Sequence, residues 1–362
     1  MKLKKLAPLL MVAMAFAMGC TKDSSSSNTV VWDQTPYTLG FGDFPPPPIA
    51  PDNALTNQGV KLGRMLFYEK RLSKDNTMSC ASCHRQQHAF ADTNQFSIGV
   101  DGHPGGRQAM AVFNMAWNTN EFFWDGRAHL LRDQSLLPIQ DSLEMAETLP
   151  NAVAKLKAVQ AYKDQFKRAF GSEEITSEKM SLAMEQFMNS IVSVESKFDR
   201  VQRGDDTFTP SERRGRELFF TEYNQFFPDS SGADCAHCHS PKNFENDLYM
   251  NNGLDAGPDI TDFGREDATG NAMDRGKMKV PSLRNIDLTP PYMHDGRFQT
   301  LEEVVEHYNS GIKPSPSLDP ALENTRATGL FLNAQDKADL VAFLKTLTDT
   351  DLMTNPEYSD PN

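Results

Sequence analysis

Two copies of the pattern C-x-x-C-H constrain the fold of this chain more than any other feature. They read Cys80-Ala-Ser-Cys83-His84 and Cys235-Ala-His-Cys238-His239. In each copy the two thiols have the spacing for thioether bonds to the vinyl groups of a haem, and the histidine that follows can be the proximal iron ligand. A zinc site made of two C-x-x-C pairs is the alternative, but zinc requires no histidine directly after each pair. The sequence therefore predicts two covalently bound c-type haems.

The one remaining cysteine, Cys20, stands at the end of an N-terminal leader. Three lysines precede an apolar run over residues 6–18, which is the layout of a secretory signal and is short for a membrane span. Residues 17–20 read Ala-Met-Gly-Cys and resemble a lipoprotein cleavage site, in which the cysteine is lipidated; ordinary signal cleavage is the alternative. We expect removal of residues 1–19 and a periplasmic protein that touches the membrane only through a lipid anchor.

The charge of the chain limits its partners. There are 49 acidic and 36 basic residues, and removal of a leader with three lysines and no acids would lower the formal net charge from −13 to −16. An acidic surface argues against nucleic acid and suits a small basic electron-donor protein, such as a cytochrome c or a cupredoxin. Acidity that serves only solubility is the alternative.

After the leader, the chain divides into a tether and two similar halves. Residues 21–28 are rich in serine and residues 44–51 contain four consecutive prolines, so we expect a flexible tether over residues 20–50. Beyond it, the amphipathic segment 59–68 precedes the first haem motif, and the similar segment 214–220 precedes the second. Each haem motif is therefore expected to follow a helix.

Each half also ends in an apolar stripe with helical spacing. The stripes consist of Met180, Met184, Phe187, Met188, Ile191 and Phe198, and of Leu340, Val341, Phe343, Leu344 and Leu347. Because an iron needs at most one methionine, we interpret the methionines as core residues. A further helix is expected over 153–166, and no alternating strand pattern of useful length occurs. The sequence predicts an all-α fold of two cytochrome c-like domains, 51–202 and 203–350, around the two haems, and a frayed tail, 351–362.

Three further motifs accompany the haem motifs, one between them and two after the second. They are Glu-Phe-Phe-Trp-Asp-Gly-Arg-Ala at 121–128, Val-Pro-Ser-Leu-Arg-Asn at 280–285, and Thr-Pro-Pro-Tyr-Met-His-Asp-Gly-Arg at 289–297. Together with the paired C-x-x-C-H, they make residues 54–348 resemble the bacterial di-haem cytochrome c peroxidase and MauG family. The resemblance implies that hydrogen peroxide binds at the first haem and that the second haem transfers electrons.

The resemblance also implies catalytic residues. Trp124 corresponds to a tryptophan that lies between the two haems and relays electrons, and Gln134 and Glu144 correspond to a Gln and a Glu that line the peroxide pocket. Peroxide cleavage moves a proton from the iron-bound oxygen to the leaving oxygen, so the chemistry requires a group such as a carboxyl above the iron. From the sequence alone, Glu144 would be one acid among 49.

Two positions differ from the pattern of plain peroxidases in this family. Where those enzymes have a histidine that blocks the first iron, residues 97–100 read Ser-Ile-Gly-Val, so we expect an open iron; His103 is the alternative ligand. Where they have a methionine ligand to the second iron, this chain has Tyr308, as MauG-like members do. We expect His239 and Tyr308 to ligate a low-potential second haem, with His307 as a rival ligand and an unligated Tyr308 as the third possibility.

The family also binds one Ca²⁺ between its domains through an Asn side chain and two backbone carbonyls. The carbonyls correspond to Thr289 and Pro291, and Gln108 stands at the Asn position. An amide oxygen remains available in Gln, one methylene farther from the backbone. We therefore expect a calcium site at these three residues.

Three functions are compatible with these features. The leading expectation is a peroxidase that reduces hydrogen peroxide at the first haem with electrons from an external donor. A MauG-like enzyme, which uses peroxide-derived high-valent haem to oxidise Trp or Tyr residues of a partner protein, is the second. A di-haem electron carrier without peroxide chemistry belongs to another class and would have two saturated irons.

Overall fold

Helices supply most of the regular structure of this chain, in a computed structural model that describes Met1 and residues 30–361. The helices are α1 (Asn57–Phe67), α2 (Cys80–Cys83), α3 (Leu131–Gln140), α4 (Leu149–Lys157), α5 (Gln160–Phe170), α6 (Ser177–Ser190), α7 (Lys197–Arg203), α8 (Pro210–Phe220), α9 (Arg265–Thr269), α10 (Leu301–Glu306), α11 (Leu322–Thr328), α12 (Ala334–Lys345) and α13 (Thr350–Thr354). A π-helical turn, His307–Gly311, continues α10. Strands β1 (Tyr249–Met250) and β2 (Met278–Lys279) pair antiparallel. No helix in the described residues is long and apolar enough to span a membrane.

The same helix pair occurs in both halves of the chain. Helix α1 packs on α6, and α8 packs on α12. At Gly63 of α1, an added Cβ would collide with the carbonyl oxygen of Ala183, and at Gly215 of α8 it would collide with that of Asp339. Glycine therefore allows the two backbones of each pair to approach closely. The predicted similarity of the segments before the haem motifs is confirmed as a repeated packing contact.

Two large hydrophobic cores form around these pairs. The first contains residues between 55 and 191 together with Leu352 and Tyr358, and the second contains residues between 198 and 347. Both predicted apolar stripes are buried, and Met180 and Met184, which have 0% and 1% exposure, lie in the first core. The interpretation of the methionines as core residues is confirmed. The boundaries of the two domains stay a prediction, which the separate cores support.

The prediction of a flexible tether over residues 20–50 is wrong for its second part. Trp32 donates a hydrogen bond from Nε1 to the carbonyl oxygen of Ala169 in α5 (3.3 Å). Phe44 is buried and makes an edge contact with the Trp117 ring, with 5.0 Å between the centroids. The prolines exclude a helix here, but they do not prevent the aromatic side chains from packing on the protein. Cys20, the leader and the serine-rich part of the tether lie outside the described residues.

The prediction of a frayed tail after residue 350 is also wrong. Helix α13 begins at Thr350, and Tyr358 is buried in the first core. The backbone oxygen of Tyr358 accepts a hydrogen bond from Tyr68 Oη (2.7 Å), and Gln86 Nε2 donates to the carbonyl oxygens of Leu352 (3.0 Å) and Asn355 (2.8 Å). The end of the chain thus returns to the first half, where Leu352 and Tyr358 are buried although most of the segment is polar.

The single helix predicted over residues 153–166 is two helices. Helix α4 ends at Lys157 and α5 begins at Gln160, and the intervening Val159 is extended, with φ of −111°. Buried Leu156 and Phe166 lie on the two sides of this break. The periodic pattern continues across it because both helices bury a face in the same core.

Candidate active site

The first haem motif is organised so that one ring nitrogen of its histidine remains available. Cys80–Cys83 form helix α2, which Ser79 caps, and His84 follows it directly. The Nδ1 atom of His84 lies 3.0 Å from the carbonyl oxygen of Phe90. Because a carbonyl only accepts hydrogen bonds, the proton is on Nδ1 and Nε2 carries the free lone pair. Burial lowers the pKa of His84, which favours the neutral ligand form.

The second motif repeats this arrangement with a different backbone. Cys235–His237 form a short 3₁₀ turn, and Nδ1 of His239 lies 3.1 Å from the carbonyl oxygen of Phe244. Burial lowers the pKa of His239 to about 4, so this imidazole is neutral too. A hydrogen bond that fixes the tautomer of a ligating histidine is the usual support for an iron or zinc ligand.

Both motifs face one cavity of about 660 Å³. Cys83 and His84 line one part of it and Cys235, Cys238 and His239 line another, with apolar side chains over most of the remaining wall. Free thiols, neutral imidazoles and an apolar wall are the environment that a covalently bound haem needs. In the described part of the chain, His, Cys, Asp and Glu residues form no group of three or more that could hold a metal ion, so the zinc alternative has no site there.

Trp124 lines the same cavity as the two motif histidines. Its indole Nε1 donates a hydrogen bond to the carbonyl oxygen of Gln108 (2.8 Å), and its own carbonyl oxygen accepts one from the Lys279 backbone (2.7 Å). Lys279 belongs to β2 in the second half, so contacts from both halves hold the tryptophan. The motif at 121–128 therefore delivers one buried aromatic ring to the space that both haem motifs share.

Glu144 and Gln134 both line this cavity. Burial raises the pKa of Glu144, the nearby Asp141 raises it further, and the positive charge of Arg127 opposes both effects. Arg127 also lines the cavity and stacks over the Phe123 ring, 3.6 Å from its centroid. Sequence reasoning did not single out Arg127, although it stands in the recognised motif at 121–128.

The loop that lacks the blocking histidine, residues 97–103, packs against the backbone of residues 143 and 144. The Val100 backbone N–H donates a hydrogen bond to the carbonyl oxygen of Glu144 (2.7 Å). An added Cβ at Gly99 would collide with the carbonyl oxygen of Leu143, so glycine is needed for this close approach. The alternative ligand His103 is exposed at the outer end of the loop and does not line the cavity. The structure thus gives no support to His103 as an iron ligand.

Tyr308 lines the cavity near the second motif, within the π-helical turn that follows α10. Its pKa is raised, mainly by burial, while a long hydrogen bond from Asn252 Nδ2 (3.4 Å) opposes the shift. His307 does not line the cavity, and its Nε2 lies 3.0 Å from the Asn252 carbonyl oxygen. Of these two neighbours, Tyr308 lines the cavity and His307 does not, and ligation of the second iron by Tyr308 stays a prediction. Met293, which sequence reasoning missed, also lines this region, with its sulfur 3.4 Å from Asn252 Nδ2.

The three residues expected to bind calcium also line the cavity: Gln108, Thr289 and Pro291. Gln108 is buried, and its Nε2 donates to the carbonyl oxygen of Asp92 (3.1 Å) while its backbone N–H donates to that of His294 (2.7 Å). These bonds fix the direction of the side-chain amide. The neighbouring Arg107 joins the two halves, because it pairs with Asp125 (2.6 Å) and with Asp262 (2.7 Å).

Comparison with known proteins identifies similar chains. The family model described as di-haem cytochrome c peroxidase matches residues 57–207. The methylamine utilization protein MauG of Methylorubrum extorquens is 37% identical over 297 residues, which cover 82% of this chain and 79% of that protein. The cytochrome c551 peroxidase of Nitrosomonas europaea is 35% identical over 307 residues, with 83% and 84% coverage. The crystal structure of a MauG-like protein associated with microbial copper homeostasis matches with a TM-score of 0.81 and 32% identity over 90% of this chain and 99% of that chain.

Proposed function

This chain belongs to the family of di-haem cytochrome c peroxidases and MauG, and on that basis we propose that it reduces hydrogen peroxide at the first haem with electrons that an external donor delivers through the second. Family membership makes it a peroxidase-like oxidoreductase and implies two c-type haems. The relatives include both cytochrome c peroxidases and MauG proteins, so the choice between these two activities rests on the site itself.

The observation that carries the proposal is the buried carboxyl of Glu144 in the cavity that His84 lines. When bound, the first haem supplies the iron at which the O–O bond of peroxide is cleaved. Glu144 accepts the proton of the oxygen nearer the iron and returns it to the farther oxygen, which leaves as water. Its raised pKa suits this double role, because a carboxylate that binds a proton more readily is the better acceptor in the first step and still donates in the second.

The remaining residues position the reactants and the electron path. Gln134 presents an amide to the same space, and Arg127 places a positive charge beside Glu144. Trp124 is held between backbone groups of both halves, which suits an electron relay. Each peroxide consumes two electrons and two protons and yields two waters, so the donor must be oxidised twice in each turnover.

The proposal is tested by spectroscopy and turnover of the purified protein. We expect a mass with two covalent haems, a high-spin ferric signal from an open iron that changes on addition of peroxide, and oxidation of two equivalents of a one-electron donor for each peroxide consumed. Two low-spin irons without turnover would show an electron carrier instead. A mass with one haem, or with zinc, would remove the basis of the proposal.

Tyr308 favours the MauG-like activity as the second candidate. A neutral thioether ligand stabilises ferrous iron, whereas an anionic phenolate stabilises higher oxidation states. The Tyr308 phenol lines the cavity near the second motif, at the position where plain peroxidases of the family have methionine. Incubation with peroxide and candidate periplasmic proteins, followed by mass spectrometry of their Trp and Tyr residues, distinguishes modification of a partner from simple peroxide reduction.

The proposal also includes a bound calcium ion and export to the periplasm. Gln108, Thr289 and Pro291 would contribute amide and carbonyl oxygens to one Ca²⁺, and removal of calcium with a chelator should change the spectrum of the haems.

Covalent c-type haem, the leader and Cys20 support a periplasmic, lipid-anchored protein. Labelling with a fatty-acid analogue, compared between the natural chain and Cys20→Ala, tests the anchor.

A further inference from the structure

Two adjacent phenylalanines project from the loop that leads into the second haem motif. Phe226 is 78% exposed and Phe227 is 66% exposed. Their backbone is well fixed, because Oδ1 of Asn224 accepts hydrogen bonds from the N–H groups of both Phe226 (3.0 Å) and Phe227 (3.2 Å). The loop thus holds the two rings in solvent instead of burying them.

The loop is closed at its base beside the haem motif. The Gly232 N–H donates to the Glu222 carbonyl oxygen (3.0 Å), and the Asp234 N–H donates to that of Thr221 (3.0 Å). Cys235 of the motif is the next residue. Higher in the loop, the Asn224 N–H donates to Ser231 Oγ (2.9 Å). Phe226 is two residues after Asn224, so its Cα lies at most about 7 Å from that of Asn224.

Two further aromatic residues extend this surface. Tyr223 stacks on Phe331 with 6.0 Å between ring centroids and an interplanar angle of 17°, and Phe331 is 43% exposed. Tyr223 also lines a small cavity of about 40 Å³ together with Cys238 and Tyr308. We name Tyr223, Phe226, Phe227 and Phe331 the aromatic rim. The rim therefore extends from the protein surface to residues that surround the second haem site.

Acidic residues accompany the rim. Residues 221–234 contain no lysine or arginine and two exposed acids, Glu222 and Asp229; a third acid, Asp234, is half-buried and lines both cavities. Exposed clusters of large apolar side chains mark interaction sites, and aromatic residues dominate the binding energy of such sites. The acids select a basic partner, and they would be repelled by an anionic membrane surface, which attracts basic segments.

We propose that the aromatic rim is the docking surface for a small basic electron-donor protein. The inference rests on the proposed function, because that function needs a donor at the second haem, and it adds the surface and the chemistry of the partner. In each encounter the donor loses one electron to the second haem and leaves oxidised. Two encounters supply the two electrons that, with two protons, convert one peroxide into two waters.

The experiment compares two reductants with the complete holoprotein. The protein donor is reduced mitochondrial cytochrome c, a small lysine-rich redox protein, and the small reductant is ascorbate with a phenylenediamine mediator. For Phe226→Ser/Phe227→Ser, we expect the ratio of kcat/KM with the cytochrome to kcat/KM with the small reductant to fall about tenfold or more, as for loss of interface hot spots. The Kd for oxidised cytochrome c, measured by calorimetry, should rise by the same factor. Met273→Ser, which removes another exposed apolar side chain, is the matched control and should leave both values unchanged.

A second variant tests the negative charge beside the aromatic rim. It is informative even if the phenylalanine variant fails to fold. Asp229→Lys keeps the rim and should weaken cytochrome binding several-fold at low ionic strength, with a smaller effect at about 0.15 M salt, where charges are screened over about 8 Å. Unchanged ratios in both variants would overturn the proposal. So would rim-dependent dimerisation in ultracentrifugation, rim-dependent binding to anionic vesicles, or failure of the natural protein to oxidise the cytochrome while the small reductant supports turnover. Failure with both reductants would instead reject the proposed peroxidase function.

Discussion

Replacement of Glu144 by Gln tests the chemistry of the site with little structural disturbance. The side chain keeps its length, and the backbone hydrogen bond from Val100 to the Glu144 carbonyl oxygen remains. Within the described residues, no side chain forms a hydrogen bond or ion pair with the Glu144 carboxyl that the variant would break. The substitution therefore removes the proton acceptor and leaves the wall of the cavity in place.

The expected magnitude follows from that single loss. General acid–base catalysis contributes about 10²- to 10⁴-fold to a rate, so the second-order rate constant for the reaction with peroxide should fall by at least about 10²-fold. A tenfold change corresponds to about 1.36 kcal/mol of activation free energy, so the smallest loss expected is about 2.7 kcal/mol. The absorption spectra of both haems should remain close to those of the natural protein, because the carboxyl is not expected to ligate either iron.

Stopped-flow measurement of the peroxide reaction between pH 4 and 8 provides the assay. Glu144 accepts a proton only when it is ionised, so the rate constant should rise with pH, with its midpoint above the ordinary value of 4.5 because the pKa is raised. Glu144→Gln should lose this dependence. Asp141→Asn is the matched variant: it keeps the acceptor for the Leu143 N–H (2.8 Å) but removes a negative charge, and should move the midpoint to lower pH. A rate constant for Glu144→Gln within about threefold of the natural protein, or an unchanged pH dependence, would refute the role of Glu144.

Three further changes have defined outcomes. Tyr308→Phe should abolish the six-coordinate low-spin signal of the second haem in electron paramagnetic resonance, and an unaltered signal would reject the phenolate ligand. Gly63→Ala and Gly215→Ala should each lower the free energy of unfolding by about 1–3 kcal/mol, because the added methyl meets a backbone carbonyl across each helix pair. Denaturant unfolding measures this change, and an unchanged free energy of unfolding in either variant would contradict the packing. Asp199→Ala should destabilise the protein by about 3–5 kcal/mol in the same assay, because it leaves the fully buried Arg284 without its two 2.8 Å ion-pair bonds. A decrease in the free energy of unfolding below about 1 kcal/mol would be inconsistent with this geometry.

The sequence could predict the features that depend on local spacing. The two haem motifs, the amphipathic segments before them and the two apolar stripes are patterns within short stretches, and each is a helix, a turn or a buried face in the structure. Thr209 is an example: its side chain caps the N–H of Glu212 at the start of α8, as the order Thr, Pro, Ser, Glu predicts. These features determine which segments become core and which present thiols and imidazoles to the cavity.

Features that depend on distant contacts could not be predicted in this way. Residues 31–50 and the chain after residue 350 have compositions typical of a tether and a frayed end. A few apolar residues, among them Phe44 and Tyr358, nevertheless anchor these segments, because each packs on an apolar site formed by segments far away in the chain. Burial of one large aromatic ring, of about 150–250 Å², can outweigh the low average hydrophobicity of a short segment. A composition average over such a segment does not record where that ring packs.

The same limit applies to the surroundings of Tyr308. A resemblance identifies the position of a candidate ligand, but the groups that control its chemistry come from another part of the chain. Asn252 lies 56 positions away, and it contacts Tyr308 Oη through its side chain and His307 through its backbone carbonyl. That carbonyl engages the imidazole, and the phenol is left as the ring that faces the cavity. The exposure of Tyr308, and not His307, to the cavity thus depends on a contact between Asn252 and the π-helical turn, which the spacing within neither segment contains.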